Sequence, residues 1–316
     1  MNVFKKIDQY HRETYDISLQ VHILSPTMKH YLQQELQDKT FVKEELNRLL
    51  TSEKYITLQC KNITLHYIPI REITQTFMKR LIKRLVVIAR VFQIEAPIQY
   101  WILPCRTKRF FPKHGEEVQQ EHINGGYTYT HQHAIFIYRL EEFPKVAIHE
   151  LLHNSQLHIN TWKKEQLAAL YKAFHVDTED CDTYCTTQLT PNEAIMEAWA
   201  LMLHIYFVSK EDQVSFLELY EQELVYNLAM SHKLLLYQKE HMPVWKEETH
   251  SYSYILLKTC ILYYWKVFSK IPYPYDTAVL TKFFLDYNQR KTFKKKMMEI
   301  PLPKDQRFRM TRFGDR

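Results

Sequence analysis

Pro144-Lys-Val-Ala-Ile-His149-Glu150-Leu-Leu-His153 is the stretch on which the reading of this 316-residue chain turns. Pro144 stands where a helix tolerates proline, in its first turn. His149 and His153 are four apart, so a helix sets both imidazoles on one face, one turn apart. Two neutral ring nitrogens so placed reach one Zn²⁺ at roughly 2.0–2.1 Å. Glu150 follows His149 directly and leans to the side of that face, where it can take a proton from an activated water. The expected cofactor is therefore Zn²⁺, with His149 and His153 as ligands and Glu150 as the general base.

A catalytic zinc site needs a third protein ligand and an open fourth position. His158 is badly placed for it. A third His in the metzincin pattern would fall at 159, after a Gly at 156, and these positions hold Ile159 and Gln156. Farther on, Thr190-Pro-Asn-Glu193-Ala-Ile-Met-Glu197 carries a capping Thr, a Pro in the first turn and two carboxylates four apart. Both carboxylates then lie on one helical face. One can ligate the metal, and the other can hold the outer nitrogen of a ligand His, fixing its tautomer and raising its basicity.

His149-Glu150-x-x-His153 followed by Asn192-Glu193-Ala-Ile-x-Glu197 resembles the gluzincin metallopeptidases of the thermolysin type. The resemblance implies that Glu193 is the third ligand and that Glu197, in place of an aspartate, supports His149. It implies a zincin-like fold and peptidase activity on a peptide or protein substrate. Thirty-nine residues separate His153 from Glu193, about twice the family spacing, so an extra helical element over Thr161 to Phe174 is expected. A second resemblance, to uncharacterised proteins of large DNA viruses, is carried by Asn124-Gly-Gly-Tyr-Thr, Ile137-Tyr-Arg-Leu-Glu-Glu-Phe, Glu193-x-x-x-Glu-x-Trp-Ala and Ser251-Tyr-Ser-Tyr-x-Leu-Leu-Lys. It implies a viral origin and gives no substrate.

Outward from the motif, apolar and polar residues alternate over Tyr55 to Cys60 and Ile63 to Ile68, a hairpin turning at Lys61-Asn62. Thr76 to Phe92 reads as an amphipathic helix, with Phe77, Leu81, Leu85 and Ile88 on one face. Pro97 to Pro104 reads as a strand closed by prolines. His122 to Thr130 and Ala134 to Tyr138 read as two pairing strands. Residues 1–50 read as helical, and from Pro144 to about Gln289 the chain reads as helix almost throughout. The expected fold is α+β and zincin-like: an N-terminal lobe with a small mixed sheet and the active-site helix, then a helical C-terminal lobe. The expected segments are N-terminal helices and hairpin over 1–75, the zincin lobe over 76–160, a helical lobe over 161–289 and a basic tail over 290–316.

A peptidase also needs a donor for the developing oxyanion. His250, Tyr252 and Tyr254, clustered at a helix start, are the candidates. Cys181-x-x-x-Cys185 near His175 has the spacing of half a structural zinc site, but no second Cys pair lies nearby, and an acidic surface loop fits better.

With 46% hydrophobic and 25% charged residues the chain has the composition of a folded globular protein. Only 4 glycines leave no Gly-rich phosphate loop. No segment reads as membrane-spanning, and the N-terminus lacks the apolar run of a signal peptide. Five scattered cysteines read as free thiols, so an intracellular location (host cytoplasm, or virion if viral) is expected rather than secretion. The net charge of +6 is uneven: residues 290–316 hold ten Lys or Arg against three acids. With Phe293, Phe308 and Phe313 interleaved, that tail suits contact with a polyanion. Two other functions are therefore weighed beside the zinc peptidase. One is a zincin-fold structural or virion protein without catalysis. The other is a nucleic-acid-binding protein acting through the tail.

Overall fold

The computed structural model describes residues 3–113, 115–157, 159, 162–176, 189–288, 290–303 and 307–316. The strands are β1 (Ser18–Ile23), β2 (Lys54–Cys60), β3 (Ile63–Tyr67), β4 (Ile98–Ile102), β5 (Gly126–Tyr129) and β6 (Ala134–Ile137). The helices begin with α1 (Val3–His11), α2 (Pro26–Glu35), α3 (Lys43–Leu49), α4 (Gln75–Val91), α5 (Gln120–Ile123) and α6 (Phe143–Leu152). They continue with α7 (Lys164–Phe174), α8 (Pro191–Glu211), α9 (Phe216–His241), α10 (Lys258–Tyr263), α11 (Trp265–Phe268), α12 (Thr277–Asn288) and α13 (Lys291–Glu299). The protein is thus α+β with a six-stranded mixed sheet. No helix among the described residues is long and apolar enough to cross a membrane.

The chain forms two compact units. The first comprises residues 1–108, 125–156 and 314–316. It holds the whole sheet, in the order β1-β2-β3-β4-β6-β5. The expected hairpin is present, with Cys60 opposite Ile63 across Lys61-Asn62. Lys61 takes the left-handed conformation, φ 53°. Asn62 clasps the loop between α4 and β4, its Nδ2 donating to the carbonyls of Ile94 and Ala96. β3, α4 and β4 make a parallel crossover unit, and β6 adds parallel to β4. β5 then closes the sheet antiparallel to β6.

Period-two alternation assigns the two faces. Ile98, Tyr100 and Ile102 of β4 and Ile135 and Ile137 of β6 fall on one face, toward α4 and α6. Trp101, Phe136 and Tyr138 fall on the other, in a cluster with Leu32, Leu46 and Leu50 of the α2–α3 region. Three layers result: helices, sheet, helices. Residues 18–23, expected to be helical, instead form β1. Ser-Leu-Gln-Val-His-Ile does alternate with period two, but its apolar positions Val21 and Ile23 are exposed (57% and 84%), so no core pattern marks it.

The second unit comprises residues 109–124 and 157–313 and is helical. Every residue of α8 from Pro191 to Ser209 is buried, so this helix is enclosed on all sides. α7 occupies much of the stretch expected to hold an inserted helix. The half-site suggested by Cys181 and Cys185 lies outside the described residues.

The basic segment expected as a tail packs, at its described residues up to Phe313, within the helical unit. Phe293 and Met297 of α13 are buried while Lys291, Lys294, Lys295 and Lys296 stay exposed. Phe308, Met310 and Thr311 are buried as well. The buried Glu223 of α9 receives this segment, accepting from Thr311 Oγ1, from Arg312 N at 3.0 Å and from Phe313 N at 2.8 Å. Desolvation raises the Glu223 carboxyl above its usual range, and those donors oppose the rise. The charge count was right; the phenylalanines between the charges are core residues, which counting charge does not reveal.

Candidate metal centre

α6 lies in the first unit, packed on β5 and β6 and against α4. Pro144 is in its first turn, as the sequence predicts, and Glu142 precedes the helix in a left-handed conformation, φ 61°. The amide of Glu142 donates to Asp315 Oδ1 at 2.6 Å, which sets a carboxylate at the positive end of the helix dipole. Tyr100 of β4 donates from its hydroxyl to the carbonyl of Ala147 at 3.1 Å and ties the helix to the sheet. Burial, and secondarily the charge of Glu150, keep that phenol well above its ordinary pKa.

Gly126 explains the close approach of helix and edge strand. A Cβ there would stand 2.7 Å from Ile137 Cδ1, 2.9 Å from the Phe136 carbonyl oxygen and 3.1 Å from Val146 Cγ1 of α6. A side chain at 126 would push the helix off the sheet. Asn154, just past the helix, donates from Nδ2 to the Glu150 carbonyl and to Thr128 Oγ1 of β5.

On this helix His149 and His153 converge. Their Nε2 atoms are 3.1 Å apart, and the rings stand at 65°. Two nitrogens on one tetrahedral zinc at 2.0–2.1 Å would be separated by about 3.3 Å. The pair thus fits a shared ion without rearrangement of the backbone. His149 and Glu150 are both buried. His149, His153 and Glu193 form a group that could hold a metal ion, one ligand atom from each lying within 4.8 Å of the others. Two imidazoles and one carboxylate are a donor set suited to zinc.

Glu193 occupies the first turn of α8, its amide bonded to the Thr190 carbonyl. That turn is anchored at several points. Thr190 N donates to Ser253 Oγ at 2.9 Å, and Asn192 Oδ1 accepts from Ile159 N at 2.9 Å. Glu197, one turn on, is 1% exposed and faces Lys258, whose Nζ lies 3.5 Å from its Oε1. Lys258 also donates to the carbonyl of Met310 at 2.5 Å. Sequence reasoning missed Lys258 as a partner. The signal was present, a single lysine within the apolar run Ile255 to Leu262.

The three oxyanion candidates separate. His250 Nδ1 lies 3.3 Å from Thr190 Oγ1, beside the turn that carries Glu193. Tyr254 packs edge-on to His250. Tyr252 is buried, and its hydroxyl donates to Gln238 Oε1 at 2.8 Å, a bond within the core of the second unit. Residues Ser253–Leu257 form a π-helical turn, a distortion of the kind that recurs at functional sites and that no sequence feature announced.

No protein-family model, no curated protein and no solved structure matches this chain.

Proposed function

We propose that the protein is a zinc-dependent hydrolase of zincin-like design that cleaves peptide bonds, with His149, His153 and Glu193 as metal ligands. The observation that carries this reading is the convergence of one ligand atom from each of these residues within 4.8 Å, with Glu150 next to His149 on the same helix. The resemblance to gluzincins supplies the choice of Glu193 over Glu197 as ligand. Zinc, when bound, supplies a Lewis acid for the scissile carbonyl and lowers the pKa of water. Glu150 takes the proton of the attacking water on its carboxylate and returns it to the leaving amine. A peptide substrate is supported by β5. It ends the sheet beside α6, and its outer backbone edge offers an extended chain a strand to pair with. His250 and Tyr254 are the donors retained for the oxyanion. The free, buried Cys60, Cys105 and Cys260 support action in a reducing, intracellular compartment.

The test is metal content and turnover of four purified proteins, prepared without chelators. The parent is expected to hold near-stoichiometric zinc. His149→Ala and Glu193→Ala are expected to lose it on dialysis, and Glu150→Gln to keep it while losing cleavage of any peptide the parent cuts. A zinc-free parent would favour the non-catalytic structural protein, and a cleaving Glu150→Gln would refute the assigned base.

Contact with a polyanion is the second reading, and the exposed lysines of α13 favour it. Charge reversal at Lys291, Lys295 and Lys296 should weaken salt-sensitive retention on heparin, and unchanged retention would remove this helix from consideration.

A further inference from the structure

The helical unit contains a pocket of about 310 Å³ that the proposed hydrolysis does not use. It lies among α7, α9, the π-helical turn, α12 and α13, and its body is apolar: Phe174, Leu235, Leu256 and Met297 line it. The charged groups that line it are of one sign. Lys239 and Lys294 line the pocket beside His175 and His232, and none of its lining residues is Asp or Glu. His232 has its Nδ1 near the Ile300 carbonyl, 3.4 Å away, which leaves Nε2 as the other ring nitrogen for a ligand. Deeper in, Tyr252 and Gln238 satisfy each other, and Gln238 Nε2 donates to the Phe174 carbonyl. Asn288 is different. It is 5% exposed, lines the pocket, and its Oδ1 has no hydrogen-bond partner. A buried amide oxygen left so has given up its water for nothing in return, so a native protein rarely keeps one without a use.

An apolar body, two lysines with no lining acid and one unsatisfied buried amide define a ligand by chemistry. We propose that this pocket binds an amphiphile with a single anionic head group and an unbranched apolar body, of the fatty-carboxylate class. Small-molecule sites span about 300–1,000 Å³, and this one is at the small end, which suits a chain of roughly ten carbons. The head group sits among Lys239, Lys294 and His232, and the chain runs between Leu235, Leu256 and Met297.

The experiment uses the full chain and three probes of equal chain length: decanoate, decanol and decylammonium. Binding is measured by calorimetry and by saturation-transfer NMR. Decanoate is expected to bind with one-to-one stoichiometry, at least tenfold more tightly than either of the others. The double variant Lys239→Glu/Lys294→Glu, changed at two exposed positions, should keep the parent's circular dichroism and melting temperature while losing at least tenfold in decanoate affinity. Leu235→Trp, which fills the half-buried wall, should remove binding of decanoate and decanol alike. No saturable decanoate binding, equal affinity for decanoate and decanol, or full affinity in the charge-reversed variant would each overturn the proposal.

Discussion

Lys258→Met is the most informative single change outside the histidine motif. Lys258 and Glu197 are 0% and 1% exposed at their side chains, with 3.5 Å between Nζ and Oε1. At an effective dielectric of about 20 their attraction is about 5 kcal/mol. The desolvation of two charges offsets much of this, so the pair as a whole adds little net stability. Breaking it is another matter. Removing one partner takes the nearby counter-charge from the other and costs roughly 3–5 kcal/mol, a large share of the roughly 5–15 kcal/mol by which folded proteins are stable. Lys258→Met also deprives the Met310 carbonyl of a donor. Both Lys258→Met and Glu197→Leu should therefore show urea midpoints far below the parent's. The double variant should recover to within about 2 kcal/mol of the parent, because two apolar side chains replace two charges. The coupling energy from the double-mutant cycle is the quantity to measure. Single variants costing under about 1 kcal/mol, or costs that merely add in the double variant, would refute the ion pair. Zinc content separates stability from ligation: Lys258→Met should hold as much zinc as the parent in conditions where it remains folded.

Gly126→Ala should destabilise the sheet unit by about 1–3 kcal/mol, the usual cost of overpacking, because the new Cβ meets the Phe136 carbonyl and Val146 of α6; an unchanged denaturation midpoint would mean that helix and strand can separate freely. Glu247 is buried, and desolvation pushes its carboxyl up to about 7 from 4.5, against the amide donors of Ser251 and Tyr252. The folded form thus keeps a proton that the unfolded form has lost, and stability falls as pH rises from about 4.5 to 7, by about 3 kcal/mol in all, then levels. Glu247→Gln should lack this contribution, so the parent-minus-variant stability difference should slope downward across that window; a flat difference would show that Glu247 ionises normally in the folded protein.

How much of this was legible beforehand depends on the range of the interaction. The Lys61-Asn62 hairpin, the helix expected over Thr76 to Phe92 and the helix carrying His149 and His153 are set by neighbours within a few residues. Alternation, a first-turn proline and i,i+4 spacing encode them directly. The convergence of the two imidazoles follows from helical pitch alone, and the structure adds only the 3.1 Å. β1 escaped because its outward apolar residues have no core to face, so its alternation carried no burial signal. Residues 290–316 were misread for the opposite reason. Their charges are local, but Glu223, the acceptor that receives the segment's backbone, lies 88 positions away from Thr311 in the chain. Lys258 with Glu197, and Asp315 with the amide of Glu142, are likewise partners of long sequence separation. Sequence by itself determined the hairpin, the helix after it, the α+β class and the placing of two imidazoles one turn apart. The tertiary structure alone decided which buried charge meets which, because a low-dielectric interior must pair its ions with whatever the fold brings near, and spacing along the chain says nothing of that.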